Sequence, residues 1–289
     1  MANLKDIKRR IGSVEKTQQI TSAMRMVAAA KLRRAESAIA AARPYAERMK
    51  RTLGELAAAG GDASHPLLEQ RERVARLEVV LVTSDRGLAG AFNSSAIKAA
   101  EALIAERAGD VEEVVITTVG RKAGEHMKRR HPSRVREAIE IGSGWVEYAW
   151  AAGIARGLAD RYARGEVDEV VVVYNQFKSV MTQTPAVVPL LPFAPEGEEV
   201  DAEAAPYSFE PNAESILSAL VPRAIEVEIF RATLENQAGE HAARMTAMES
   251  ATRNTKDLIE SLTLEYNRAR QAAITTELVE IVSGAQALE

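Results

Sequence analysis

The sequence predicts an α/β fold plus long helices: an antiparallel two-helix coiled coil from the N- and C-terminal segments, and a central small Rossmann-like, mostly parallel α/β domain. Three observations predict this class. Both ends of the 289-residue chain carry apolar residues at helical spacing, and the middle alternates β-branched runs with helical segments. Aromatic residues make up only 4% while alanine is abundant, which favours long helices over a bulky aromatic core.

The first long helix is predicted over Leu4–Leu56. Its apolar residues recur every three or four positions, as in the seam of a coiled coil. The exceptions are three consecutive seam positions, Gln18, Thr21 and Arg25, which form a polar window. Pro44 is expected to kink this helix or to open a turn, because proline lacks the backbone N–H that a helix interior needs.

The second long helix is predicted over residues 212–282. Thr252 and Thr255 are small polar members of its apolar seam, and Pro222 is expected to cause a kink or a restart. The net charge is +8 for residues 1–56 and −11 for residues 195–289, so the two ends of the chain attract each other. Charge and small seam residues therefore both favour pairing of these two helices.

Helix length indicates where the pair must lie. At the rise of an α-helix the two segments are roughly 80 and 100 Å long. A compact body made of the whole chain would be only about 50 Å across. We therefore expect the helix pair to project from the central domain.

The central segment reads as alternating strands and helices, which predicts a small, mostly parallel sheet. The predicted organisation is an N-terminal shaft helix in residues 1–60, an α/β domain in residues 61–211, and a C-terminal shaft helix in residues 212–289. The predicted strands are Leu77–Thr83, Glu113–Val119, Glu169–Tyr174 and an edge strand at Val180–Leu191, and the predicted helices are Ser95–Arg107, Arg121–Arg130 and Trp145–Arg164.

The stretch that most resembles a ligand site is the glycine-bearing turn Thr83–Asn93, between a strand and a helix. Turns of this kind hold phosphates in many α/β folds, but here the spacing is only GxxG. We interpret it as a tight structural turn in which Asp85 or Asn93 caps the backbone.

Other classes of site find little support. The chain has no cysteine, and its four histidines form no HExxH motif, so we expect no metal ion, no cofactor and no catalytic residues. The cations of the first helix are interspersed along it, which is not the arrangement of a nucleic-acid arm. No apolar run is long enough for a membrane span. We expect no signal or transit peptide at the N-terminus. The simplest expectation is therefore a protein of a bacterial cytoplasm.

The C-terminal stretch Ala272–Leu288 is apolar nearly all round, with two acids and no base. A chain end is normally polar and frayed. An apolar circumference implies burial, and the central domain lies too far away to provide it. We therefore expect another protein to cover this tip.

Three blocks of the sequence resemble the γ subunits of F-type ATP synthases, and the resemblance covers essentially the whole chain. They are IKRRIGSVEKTQQITSAMRMVAAAKLRRA at Ile7–Ala35, LVTSDRGLAGAFNS at Leu81–Ser94, and HAARMTAMESATRNTKDLIESLTLEYNRARQAAITTELVEIVSGA at His241–Ala285. The resemblance implies a rotor shaft that threads a hexamer of α and β subunits and couples ion flow through the membrane ring to ATP synthesis or hydrolysis. It also implies that the glycine turn is not a nucleotide site.

The resemblance further implies partners and contact residues. The partners would be the α and β subunits, the ε subunit and the ring of c subunits, with one copy of the chain per complex. Membrane association would come only through the complex, at the cytoplasmic face of the bacterial cell membrane. The implied contacts are Thr21, Met24 and Arg25 towards β-subunit loops, Arg270 and Gln271 as a catch, Tyr207 and Glu210 near the c ring, and Ile274, Leu278, Ile281 and Val282 in the apolar tip.

Two other functions remain open on the residues alone. One is a nucleotide-dependent α/β enzyme with a helical arm, which would bind ATP by itself. The other is a passive coiled-coil spacer, which would tolerate the loss of residues 275–289.

Overall fold

A computed structural model describes residues 4–59, 65–142, 144–194 and 213–286. Two long helices, α1 (Leu4–Ala59) and α5 (Ala213–Gln286), flank the strands and shorter helices of the central segment. The elements between them are β1 (Arg76–Val82), α2 (Phe92–Arg107), β2 (Glu113–Val119), α3 (Arg121–Arg130), β3 (Val135–Ile139), α4 (Tyr148–Ala163), β4 (Glu169–Ser179) and β5 (Thr182–Leu191).

The chain forms two compact units. One consists of Met1–Ala28 with Arg244–Glu289 and contains the N-terminal part of α1 and the C-terminal part of α5. The other, Ala29–Ala243, contains the remaining parts of both helices and the whole sheet. Within the second unit the two helices run antiparallel, because Lys50 of α1 pairs with Glu228 of α5, whereas Arg34, earlier in α1, contacts the same Trp145 ring as His241, later in α5.

The predicted seam of α1 is buried or half-buried at every position except Arg25, which is exposed. The seam of α5 is likewise buried or half-buried throughout. Both helices continue without interruption through Pro44 and Pro222, so the expected turn or restart does not occur. Each proline removes one backbone donor, and the neighbouring turns keep the helix continuous.

The sheet has the order β3-β2-β1-β4-β5. The first four strands in this order are parallel, and β5 returns antiparallel along β4 as an edge strand. This confirms the predicted mostly parallel α/β domain. The sequence missed β3, whose VREAI segment is short and mostly exposed, so it lacks the apolar run of a buried strand.

Helices cover both faces of the sheet. On one face, small residues of α2 and Met127 of α3 pack on alternate residues of β1, including Leu77 and Leu81. On the other face, α4 packs with Leu53 of α1 and Ile225 of α5. Parallel strands covered on both faces have to be apolar throughout, which explains their Val- and Ile-rich sequences.

One fully buried carboxylate interrupts this apolar interior. Glu78 lies in the central strand β1, and the Arg161 guanidinium of α4 donates to both of its oxygens, at 2.9 and 2.7 Å. The Thr117 hydroxyl of β2 donates a third hydrogen bond at 2.7 Å. A buried charge costs little only while its partners are in place, so this cluster ties α4 to two strands.

We expect Arg161→Ala to lower the free energy of unfolding by about 3 kcal/mol, because Glu78 would remain buried without its main counter-charge. Arg164→Ala is the matched control, since the Arg164 side chain is 69% exposed; it should change the free energy by less than about 0.5 kcal/mol. Urea unfolding followed by circular dichroism measures both. Equal midpoints for the two variants would contradict the stabilising role of this ion pair.

Candidate partner-contact surface

The polar window of α1 contains a hydrogen-bonded pair of hydroxyls inside the coiled coil. The Thr252 hydroxyl of α5 lies 2.9 Å from the Thr21 hydroxyl. Each also lies within hydrogen-bond distance of a carbonyl one turn back, that of Gln18 at 3.0 Å and that of Met248 at 2.8 Å. The two hydroxyl groups supply only two hydrogens for three contacts. The hydrogen bond between the helices therefore exchanges with the hydrogen bonds to the carbonyls inside each helix.

The outer surface at the same level carries large apolar side chains. Ile20, Met26 and Val27 of α1 are each more than half exposed, although the chain offers polar residues at the seam beside them. Arg25 is exposed among them, and Met24 is half-buried. Thr21, Met24 and Arg25 remain predicted contacts from the family resemblance. The sequence analysis did not single out Ile20, Met26 and Val27, although apolar residues off the seam are a signal that is visible in the sequence.

The C-terminal part of α5 extends beyond the reach of α1. Counting residue for residue in opposite directions from the contact of Thr21 with Thr252 places Leu4 opposite Ala269. Later turns of α5 therefore have no partner stripe on α1. Arg270 and Gln271 lie at this limit, and both are exposed.

The apolar tip is exposed within the chain. Ile274, Leu278, Ile281 and Val282 keep between 48% and 68% of their surface in contact with solvent. A contiguous exposed apolar patch of this kind marks an interaction site. Within the described part of the chain, no helix combines the length and the apolar character that crossing a bilayer requires. The remaining predicted contacts, Tyr207 and Glu210, lie outside the described residues.

The glycine-bearing turn after β1 is held together by its own side chains. The Asp85 carboxylate accepts backbone N–H bonds from Arg121 at 2.7 Å, Ile141 at 3.3 Å and Gly142 at 2.6 Å. The Asn93 amide oxygen accepts the N–H of Ser84 at 2.9 Å. These contacts confirm that Asp85 and Asn93 cap the backbone, and they leave the Asp85 oxygens committed to protein donors.

Helix α5 lies over the same edge of the sheet. The Asn236 side chain donates to the Thr83 carbonyl at 2.9 Å, directly after β1. At Gly239 a Cβ atom would come within 2.9 Å of the Phe92 ring, at the start of α2. In nucleotide-binding α/β folds the phosphates occupy this space, beside the N-terminus of the first helix. Here the protein itself fills it.

The structure brings two histidines together that sequence reasoning treated as far apart. His126 and His131 place their Nε2 atoms 3.0 and 2.9 Å from the two oxygens of Glu101 on α2. Burial opposes ionisation of Glu101, but the hydrogen bonds from His131 and His126 outweigh it and lower its pKa. Across the described ranges, no group of three or more histidine or acidic side chains is arranged to hold a metal ion.

Together these features define a class of protein. A pair of long helices with exposed apolar residues along its length and at its tip is typical of a structural subunit that contacts partner proteins. The α/β domain packs against both helices, and Asn236 and Gly239 of α5 lie at the edge of the sheet where related folds bind ligands.

Comparison with known proteins identifies the family. A family model described as ATP synthase matches residues 3–288. The chain is 49% identical to the ATP synthase gamma chain of Desulforamulus reducens over 289 residues, with complete coverage of both chains. The chain therefore belongs to the ATP synthase gamma-chain family, and its role is that of the central shaft of an ATP synthase.

Solved structures agree on the fold. A chain from the central stalk and c-ring of the Tetrahymena thermophila mitochondrial ATP synthase matches with a TM-score of 0.61 and 25% identity. That match covers 80% of this chain and 99% of the other. A chain of the Euglena gracilis mitochondrial ATP synthase matches with a TM-score of 0.69 at 19% identity, covering 99% of this chain and 94% of the other. The latter likeness shows the fold.

We expect Thr252→Val and Thr21→Val to show a coupling energy of about 1 kcal/mol or less in a double-mutant cycle, because each hydroxyl keeps a backbone acceptor when the other is removed. The double variant should be at least as stable as the unmutated chain, since two methyl groups replace polar groups in the seam. Thr263→Val is the control, because Thr263 makes the same bond to the carbonyl four residues back but is exposed. Urea unfolding measures the four proteins of the cycle and the control, and a double variant less stable than either single one would contradict the exchange described above.

We expect Asp85→Ala to lower the free energy of unfolding by about 1–2 kcal/mol, because three backbone donors lose their acceptor. Asp110→Ala, at an exposed residue after α2, should have almost no effect. Calorimetric titration of the unmutated chain with ATP should give no binding heat at micromolar nucleotide. A measured affinity for ATP that Asp85→Ala abolished would instead support a nucleotide site at this turn.

Proposed function

We propose that the chain acts in the complex as a purely mechanical element with no catalytic site of its own. The single observation that carries this proposal is the exposed apolar tip of α5 on a helix that otherwise buries its apolar stripe. Such a surface needs a partner, and it has no polar group positioned for chemistry. The shaft would pass mechanical work between ion translocation and nucleotide binding.

The tip would turn inside an apolar sleeve formed by the α and β subunits. Apolar contact is non-directional, so rotation breaks few specific bonds while the tip stays centred. Ile274, Leu278, Ile281 and Val282 are the residues that would contact the sleeve. Their exposure within the isolated chain supports this assignment.

The middle of the shaft would contact the lower loops of the β subunits. Thr21, Met24 and Arg25 would face these loops, and Arg270 with Gln271 would form a catch on the other helix. The exposed cation of Arg25 beside apolar side chains suits a partner surface that combines acidic and apolar groups. Different shaft angles would favour different conformations of each β subunit, which is a population shift by differential contact.

The α/β domain would form the foot of the stalk. In this division residues 1–60 and 212–289 supply the shaft and residues 61–211 the foot, against the ε subunit and the c ring, with Tyr207 and Glu210 near the ring. One copy would serve each complex, at the cytoplasmic face of the cell membrane, without entering the bilayer itself.

Deletion of residues 275–289 tests this proposal. In the assembled complex we expect the ATP-synthesis rate to fall roughly tenfold, because several apolar side chains lose their contact with the sleeve. Deletion of residues 287–289 alone is the control and should leave the rate near that of the full chain. The measurement is ATP synthesis by membrane vesicles driven by an imposed ion gradient. Full synthesis with the long deletion would show a passive spacer instead.

A further inference from the structure

The loop between β3 and α4 is anchored to the carboxyl edge of the sheet. Its residues Ile141 and Gly142 donate their backbone N–H groups to Asp85, which follows β1. The same carboxylate accepts from Arg121 at the start of α3. One side chain therefore fixes the beginning of this loop relative to the ends of three neighbouring strands.

The same loop contacts both long helices through its next described residues. The Arg34 guanidinium of α1 lies over one face of the Trp145 ring, with its Cζ atom 4.3 Å from the ring centroid. The Trp145 ring also meets the His241 ring of α5 in an edge contact, with centroids 6.1 Å apart and planes at 73°. The Gln237 side chain of α5 donates to the Gly144 carbonyl at 3.4 Å.

These contacts differ in kind from the packing that holds the helices to the sheet. Leu53, Leu56, Ile225 and Ile229 belong to the apolar core beside α4. The apolar attraction is non-directional, and the polar contact already described between α5 and the sheet edge is the hydrogen bond of Asn236 to the Thr83 carbonyl. The stack of Arg34 on Trp145 depends on position and angle, because the cation has to stay over the ring face.

We propose that Trp145 is a positioning residue for torque: it locks the β3–α4 loop, and with it the carboxyl edge of the sheet, to α1 and α5 together. A twist applied to the α/β domain then turns both helices as one body, because slip between them and the sheet would pull Arg34 and His241 away from the ring. Each helix is continuous beyond the lock, so the twist is carried along both. This inference rests on the proposed mechanical function.

The test compares variants that keep or remove the ring in the complete, membrane-reconstituted ATP synthase. Trp145→Leu removes the aromatic face, whereas Trp145→Phe keeps one. Trp150→Leu is the matched control, because Trp150 is the other tryptophan of the chain and packs against the core from α4. The measured quantity is the ratio of ATP-driven ion pumping to ATP hydrolysis, and urea unfolding of each chain gives its stability.

We expect Trp145→Leu to raise the fraction of uncoupled turnovers about two- to fivefold. In this variant, sliding of the helices relative to the sheet no longer breaks a cation–π contact. Trp145→Phe should restore most of the coupling, and Arg34→Gln combined with Trp145→Leu should add no further loss. Trp150→Leu should leave the ratio unchanged even where it lowers stability as much. Equal coupling in Trp145→Leu and the unmutated complex would overturn the lock, as would an equal loss in Trp150→Leu.

A fluorescence measurement checks the contact itself. In a Trp150→Phe background Trp145 is the only tryptophan, so its emission reports on this loop. Arg34→Gln should then shift the emission maximum, and an unchanged spectrum would overturn the stacking on which the proposal depends.

If the unmutated complex hydrolysed ATP without pumping ions, the proposed function itself would fail, which is a different result from intact coupling in Trp145→Leu.

Discussion

The pairing of α1 with α5 through small side chains is the interaction on which the rest of the structure depends. Ala28 and Ala35 of α1 and Ala238 and Ala242 of α5 are almost completely buried, as expected of small seam residues in a helix pair. Because α1 has 56 residues and α5 has 74, the pairing cannot extend to the end of α5. The unpaired apolar turns beyond α1 become the tip that partners must cover.

At one level of this helix pair, polar residues lie in the seam and large apolar residues lie on the outer surface. Thr21 and Thr252 place hydroxyls in the seam, while Ile20, Met26 and Val27 face outward. A seam made of similar alanines specifies its register poorly, and a buried polar pair specifies it better at some cost in stability. In the proposed function, the outward apolar residues would meet a partner during rotation, and one level of the shaft would then provide both alignment and contact.

The α/β domain shows that a fold does not by itself fix a function. Its parallel sheet and glycine-bearing turn are typical of nucleotide-binding folds, yet function resides in sites and not in folds. Asp85 is committed to three backbone donors, and Asn236 and Gly239 bring α5 against the edge where phosphates would lie. Asp85 thus fixes the loops at this edge of the sheet, and Asn236 with Gly239 holds α5 there.

The sequence by itself determined the two long helices, their seams, the parallel sheet and the apolar tip, because periodic burial of a stripe is written in the spacing of apolar residues. It did not predict β3, whose short exposed segment carries no such spacing. It also placed Arg25 in the seam, whereas Arg25 is exposed and only Met24 beside it is half-buried.

Only the tertiary structure decided which distant polar groups meet. The contacts of Glu101 with two histidines, of Glu78 with Arg161 and of Trp145 with Arg34 and His241 join residues from different elements. No local pattern encodes such pairs, because they arise from how the elements pack and not from the spacing within any one of them. Burial along a helix or strand follows from sequence, and contacts between side chains on separate elements follow from the fold.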